Sequence, residues 1–303
     1  MSAPTLHRER KSSRDGESRA PAGDRLALLA RCLAVPCPSL AAPLEAALAR
    51  AAAAGAAPFE VVAGAPFTRY GSRLTFQPGA DSARAADLGD AFGFAGHPWG
   101  APAWVGLRVS PGGAVRAKAY HAAPRWDDLR SLLVRGLECP PQLPAGLPDG
   151  LRPVMAALDG EAAEIYLRRG PAGPWSAFAA AVLAAALPSL PPACREPSFA
   201  PHPRPAEDAF CLSLRWRLGA LEALSLYADQ RALPADGEVR GAWSAGLDEP
   251  DRLAYEAALA GVRSLARSPG PAGTRSWHAM LAWSLDREGG WHRAASLRVP
   301  VRG

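Results

Sequence analysis

Lysine is almost missing from this chain. Two occur in 303 residues, Lys11 and Lys118, and arginine supplies every other basic side chain among the 34. Cysteine is scarce as well. The five, Cys32, Cys37, Cys139, Cys194 and Cys211, show no C-x-x-C spacing, which excludes a thioredoxin-like redox pair and a cysteine-rich zinc site. Free thiols in a reducing cytoplasm are the expectation. The six histidines, at 7, 97, 121, 202, 278 and 292, are scattered without metal-ligand spacing. The longest wholly apolar run, Ala177 to Leu187, falls short of the roughly 20 residues that span a bilayer, so no membrane partner is expected. There is no G-x-G-x-x-G, no P-loop and no G-x-S-x-G elbow, which removes the usual signatures of dinucleotide binding, nucleotide hydrolysis and α/β-hydrolase chemistry. Residues 1–23 are charged and lack a signal peptide's apolar segment. They read as a disordered tail, with residues 24–303 as one domain.

What is present is a globular composition. Hydrophobic residues make up 49% of the chain, enough for a sizeable core. The net charge is +5, carried by arginines spread along the chain rather than gathered in a block. This suits an anionic ligand. The arginines stand among apolar strand residues, which argues against an exposed nucleic-acid-binding face.

Strand-like alternation recurs in five pairs. The first is "FEVVAGAP" with "SRLTFQP", and the second is "AWVGLRV" with "VRAKAYHA" across "SPGGA". The third is "RPVMAALD" with "AAEIYLRR", the fourth "AFCLSLRWRLG" with "ALEALSLYAD", and the fifth "SWHAMLAWSLD" with "WHRAASLRVP" across "REGG". Short turns between alternating runs predict hairpins, hence ten strands. Helices are predicted between the pairs, in "WDDLRSLLVRGL", "GPWSAFAAAVLAAALP" and "DEPDRLAYEAALAGVRSLARSPG". Another helical stretch over Asp24 to Ala54 precedes them, and "ADSARAADLGDAFG" gives a weaker helical signal. Asp127 and Asp128 suggest a magnesium-binding acidic motif, but position 131 is serine and the pair opens a helix, where acids belong. The proline-rich stretches "CPPQLPAGLP" and "LPSLPPACREPSFAPHPRP" read as connectors within one architecture.

A period of two assigns each strand a polar and an apolar face. Arg116, Lys118 and Tyr120 share one face, as do Glu164, Tyr166 and Arg168. Ser213, Arg215 and Arg217 share another, as do Ser225, Tyr227 and Asp229. The apolar faces are seats for helices, which turns the polar faces to water or into a lumen. Closing the sheet removes its two long edges. The expected fold is therefore of the α/β class: a ten-stranded antiparallel β-barrel with a solvent-filled lumen inside an outer ring of α-helices, built from five ββα-type repeats. Its predicted lining combines cations (Arg73, Arg108, Arg116, Lys118, Arg215, Arg217, Arg298), aromatic rings (Trp104, Tyr120, Tyr166, Tyr227) and carboxylates (Glu60, Glu164). Cations bind diphosphate, and aromatic faces stabilise a positive fragment. Ionisation of an allylic diphosphate needs both at once.

In this plan the chain resembles the aromatic prenyltransferases of the ABBA, or prenyltransferase-barrel, fold, especially the dimethylallyltryptophan synthase group. The resemblance runs through "PFEVV", "GSRLTFQP", "VRAKAYHAAP", "ALDGEAAEIYLRR" and "LSLYADQRALP". It implies transfer of a prenyl group from an allylic diphosphate, dimethylallyl or longer, to an electron-rich aromatic ring such as the indole of tryptophan in a small molecule or peptide. It implies no metal and no cofactor. Glu60 would accept or take the indole proton, and Arg73 and Lys118 would hold diphosphate. Tyr120, Tyr166 and Tyr227 would shield the allyl cation, with Trp104 a further aromatic candidate. Arg215, Arg217 and Arg298 are further candidates for the diphosphate. The third pair departs from the family pattern by carrying Ala162 and Glu164 where basic residues stand. An acid at 164 repels diphosphate unless it is paired. The alternative function is a non-catalytic barrel that binds a hydrophobic or anionic small molecule.

Overall fold

The computed structural model describes residues 22–77, 82–94, 99–137, 140–159, 162–170, 173–189, 200–206, 208–265 and 276–299. Most of the expected N-terminal tail, with Lys11 and His7, lies outside them, as do His97, Cys139, Cys194 and parts of both proline-rich connectors.

Ten strands form the centre. They are β1 (Ala57–Ala65), β2 (Ser72–Gln77), β3 (Trp104–Val109), β4 (Val115–Ala122), β5 (Leu151–Asp159), β6 (Ala162–Arg169), β7 (Phe210–Arg217), β8 (Ala220–Asp229), β9 (His278–Asp286) and β10 (Trp291–Arg298). Each pairs antiparallel with its neighbours in sequence, and β1 pairs with β10, so the sheet closes into a barrel. Closure leaves no strand edge unpaired. The predicted fold class and the five strand pairs are found in the structure.

One connection differs from expectation. The first pair is joined by a single helical turn, α3 (Phe67–Tyr70), instead of a tight turn. Gly71 ends it at φ 59°, and a Cβ there would lie 2.0 Å from the Val109 carbonyl oxygen. Only glycine fits this return to β2. The Phe67 N–H donates to Asp251 Oδ1 at 2.6 Å, which ties the turn to the outer helix layer.

That layer comprises α1 (Ala22–Leu33), α2 (Ala41–Ala53), α4 (Ser82–Ala91), α5 (Trp126–Gly136), α6 (Trp175–Ala186), α7 (Asp236–Ala245) and α8 (Glu249–Ser264). The expected helical stretch over Asp24 to Ala54 is split between α1 and α2, because Pro36 and Pro38 lie between them and proline cannot donate to a continuing helix. Helix α7 was not predicted. Its Gly237 and Gly241 weaken the helical signal, yet Val239 and Trp243 are fully buried. Helix α8 starts at Asp248, whose side chain accepts the Asp251 N–H at 3.0 Å. Asp127 and Asp128 occupy the first turn of α5, as helix-opening acids should.

The main core lies between the barrel's outer face and the helices. Trp175 of α6 packs on Phe210 and Trp283 with ring centroids 4.9 and 5.3 Å apart, and Trp243 of α7 meets Trp283 at 6.1 Å. This aromatic seat fixes two helices against β7 and β9. Burying each large ring contributes on the order of 4 kcal/mol before entropy is counted. No helix among the described residues is long and apolar enough to cross a membrane.

Candidate active site

Because alternate residues face inward, the barrel's wall is written in its cross-strand register. Across β2, β3 and β4, Arg73 stands opposite Arg108 and Arg108 opposite Arg116. All three line a lumenal cavity of about 730 Å³. Like charges directly opposite one another in a ladder repel, so this row is a strongly positive strip of wall. Burial, then repulsion by Arg73 and Arg215, lowers the Arg108 pKa. Arg73 keeps its charge despite burial, helped by the Glu60 carboxylate. Its buried Nε has no hydrogen-bond partner.

The cavity reaches the hairpin turns. Gly71, Leu218, Arg287 and Glu288 lie on its wall, which places its mouth at that end of the barrel. Leu218 is 81% exposed there, at φ 50°.

Further from the mouth lies an aromatic belt. Tyr120, Tyr166 and Tyr227 come from β4, β6 and β8, with ring centroids 5.9 and 6.1 Å apart in sequence. All three are buried and form a cluster of their own, distinct from the core outside the barrel. Trp104 packs against this cluster, its ring 6.4 Å from Phe59. Burial and the nearby Glu164 carboxylate push the hydroxyls of Tyr166 and Tyr227 well above the usual phenol range, so both rings are neutral. Lys118 Nζ lies 5.2 and 5.5 Å from the centroids of Tyr120 and Tyr166, within cation–π range.

Lys118 does not stand alone. Its ammonium donates to Glu164 and, at 3.1 Å, to the Tyr166 hydroxyl. Glu164 also accepts from the Ser213 hydroxyl, and Arg215 approaches it at 4.0 Å. Burial opposes ionisation of Glu164, but Lys118, Arg215 and the Ser213 hydrogen bond outweigh it and hold the carboxyl at about 2. Arg215 is itself tied to Glu222 at 2.8 Å and Asp159 at 3.0 Å. Burial costs its charge less than these carboxylates return.

Glu60 sits beside the barrel seam. One carboxylate oxygen accepts from the Thr75 hydroxyl of β2 at 2.9 Å, and the other accepts from the Ser296 hydroxyl of β10. Two fixed donors hold a carboxylate on the lumenal side, at the depth of the belt. An acceptor N–H or a departing proton needs such a group.

Arg73, Lys118, Arg215, Arg217 and Tyr227 line the cavity directly. Glu60, Tyr120, Tyr166 and Trp104 lie deeper on the same inward faces. Arg217 stands half-exposed at the mouth, bound to Glu222 at 3.2 Å. Arg298 departs from the predicted lining. It lies on the inward row of β10 opposite Glu60, but at the strand's end remote from the turns, where it is exposed and does not line the cavity.

Sequence reasoning missed the acids Asp159, Glu222 and Asp286. Each sits at a hairpin end, where acids are ordinary turn residues, so only the fold shows that they face the mouth. It also missed the hydroxyls of Thr75, Ser213 and Ser296, although strand alternation places them on the inward faces. Asp286 binds His292 at 3.0 Å and Arg69 at 3.4 Å. No group of three or more histidine, cysteine, aspartate or glutamate side chains placed to hold a metal ion occurs among the described residues.

No protein-family model matches this chain, and no curated protein matches it in sequence. Solved structures do match. The apo form of the prenyltransferase PriB aligns with a TM-score of 0.65 at 18% identity, over 94% of this chain and 98% of that one. 5-Dimethylallyl tryptophan synthase from Streptomyces coelicolor, in complex with DMASPP and Trp, gives 0.62 at 20% identity over 94% and 98%. 6-Dimethylallyltryptophan synthase from Micromonospora olivasterospora, also with DMASPP and Trp, gives 0.62 at 15% identity over 93% and 98%. The shared feature is the fold, the helix-ringed prenyltransferase barrel.

Proposed function

We propose that this chain is an aromatic prenyltransferase, moving a dimethylallyl or longer prenyl group from its diphosphate to an electron-rich ring, an indole of tryptophan or of a tryptophan-containing peptide. The observation that carries this reading is the row Arg73, Arg108 and Arg116 in one lumen with the belt Tyr120, Tyr166 and Tyr227. The two halves suit the two products of allylic ionisation. The solved structures of the same fold that hold DMASPP and Trp together support it.

In the proposed reaction the bond between C1 of the donor and its bridging oxygen breaks, and the electron pair leaves with diphosphate. The guanidinium row receives that charge, Arg73 and Arg108 half-buried and Arg116 exposed at the mouth, as fixed cations already in place when it develops. The tyrosine faces stabilise the allyl cation. A ring carbon of the acceptor forms the new bond to C1, and the ring then gives a proton to the released diphosphate, which restores aromaticity. Glu60 accepts the indole N–H and so directs the ring's electron density towards C1. The step as written uses no redox equivalent and no cofactor. A cytoplasmic site of action belongs to the same proposal, and the free Cys32, Cys37 and Cys211 suit a reducing compartment.

Incubation with labelled dimethylallyl and geranyl diphosphates and a panel of indoles, phenols and peptides tests the reading. Diphosphate release with formation of an alkylated acceptor supports it. No release with any acceptor, together with no binding of a non-ionisable donor analogue, overturns it. The ion pair of Lys118 with Glu164 favours a second reading, a barrel that binds an anionic or hydrophobic molecule without turnover. Analogue binding without product formation is its signature.

A further inference from the structure

The cavity already contains an anion, supplied by the chain itself. Glu164 reaches from β6 past β5 to Lys118 on β4; in register Glu164 faces Ala157, which faces Tyr120, so the contact runs diagonally to the next inward residue of β4. Its carboxylate draws on Lys118, Ser213 and Arg215 together. Charged and hydroxyl donors converging on one pair of oxygens make the arrangement an oxyanion or phosphate group takes from a protein. The group is buried, so little solvent screens it.

From this geometry we infer that Glu164 is a resident competitor for the donor's diphosphate: it occupies Lys118, while Asp159 and Glu222 hold Arg215, so the donor is held chiefly by Arg73, Arg108 and Arg116 and gains Lys118 only by displacing the carboxylate. The inference rests on the proposed function and adds a residue that sets donor affinity. The low pKa of Glu164 supports it, since the carboxylate stays charged throughout the range in which the protein would work.

Isothermal titration with inorganic diphosphate and with a non-ionisable allylic thiodiphosphate tests this on three proteins: the wild type, Glu164→Gln and the double variant Lys118→Met with Glu164→Met. The glutamine variant leaves Lys118 unpaired, and tighter binding by about tenfold or more is expected because a buried charge gains its missing counter-ion. Replacing both members of a buried ion pair with apolar residues is commonly tolerated, so the double variant serves if the glutamine variant does not fold. It is expected to bind both ligands within about threefold of the wild type, because a mutually neutralised pair contributes little net attraction.

If the wild type binds and Glu164→Gln binds no tighter, the inference is overturned while the proposed function stands. A loss of about tenfold or more in the double variant also overturns it, by showing that Lys118 serves the ligand in spite of Glu164. If none of the three proteins binds either ligand, both the inference and the prenyltransferase reading fall.

Discussion

Arg73 and Arg108 stand directly opposite each other across β2 and β3, both facing the lumen. Two guanidiniums in that position destabilise the sheet unless an anion lies between or above them. A polyanionic ligand should therefore stabilise the protein. Millimolar inorganic diphosphate should raise the melting temperature by several degrees, an effect that should weaken with added salt. Arg73→Gln and Arg108→Gln should each weaken diphosphate binding by about tenfold, or roughly 1.4 kcal/mol. Titration of ligand at two ionic strengths checks both effects, and unchanged affinity in both variants would remove the anion from this wall.

Glu60 is hydrogen-bonded by two hydroxyls and makes no direct ion pair among the described residues, so Glu60→Gln breaks no salt bridge. Glu60→Gln should fold normally and bind donor as the wild type does, while transfer slows by roughly a hundredfold. The measurement is the single-turnover rate beside the Kd of a non-ionisable donor. A shift in Kd with no change in rate would remove Glu60 from the transfer step.

The belt offers π faces, and its hydroxyls are secondary to that role. Tyr120→Phe should keep most of the activity. Tyr120→Leu should lose about tenfold in rate, because a partly desolvated cation–π contact is worth roughly 1–2 kcal/mol. Equal rates for the two variants would assign the ring to packing alone.

Glu164 should also mark the acid stability of the protein. Its carboxyl titrates at about 2 in the folded chain against an ordinary 4.5, so between these values the unfolded chain binds the proton more readily. The stabilisation is complete above about pH 4.5 and is lost as pH falls towards 2. It amounts to about 3 kcal/mol at most. Chemical denaturation at a series of pH values should show this slope in the wild type and a shallower one in Glu164→Gln.

Outside the barrel, Asp236 of α7 accepts from His278 Nδ1 at 2.5 Å, and His278 Nε2 meets the Tyr255 hydroxyl of α8 at 2.8 Å. His278 is completely buried. This chain of contacts pins two helices to the start of β9, remote from the cavity mouth. His278→Ala should cost about 2–4 kcal/mol of stability by emptying a buried site and leaving the buried Tyr255 hydroxyl without its partner. Diphosphate affinity below the melting transition should be unchanged, and a parallel loss of affinity would link this cluster to the lumen.

The barrel was legible because period-two alternation survives in the strand pairs, most clearly in β4, β6, β7 and β8, where arginine, lysine, serine or tyrosine alternates with leucine, isoleucine or alanine. Ring closure followed from the cost of open edges. Helix α7 escaped because Gly237 and Gly241 interrupt its pattern, and only burial of Val239 and Trp243 makes it helical. The row of arginines was visible as a set of inward residues, but not as a row, since register depends on bulges and on the helical turn between β1 and β2. Glu164 looked repulsive in the sequence because its partner is two strands away. No local pattern links residue 164 to residue 118, and the contact runs diagonally across β5 rather than along one register line.

The seam between β1 and β10 joins the barrel's first strand in chain order to its last. Glu60 is gripped on one side by Thr75, fifteen residues away, and on the other by Ser296, 236 residues away. Its second hydroxyl therefore arrives only when the final strand docks. The acceptor end of the site is completed by the last and most distant pairing of the fold, the kind of contact that forms slowly. A chain stalled or cut before β10 could build most of the diphosphate wall and still leave its proposed acceptor carboxylate half held, so catalytic competence would report complete ring closure.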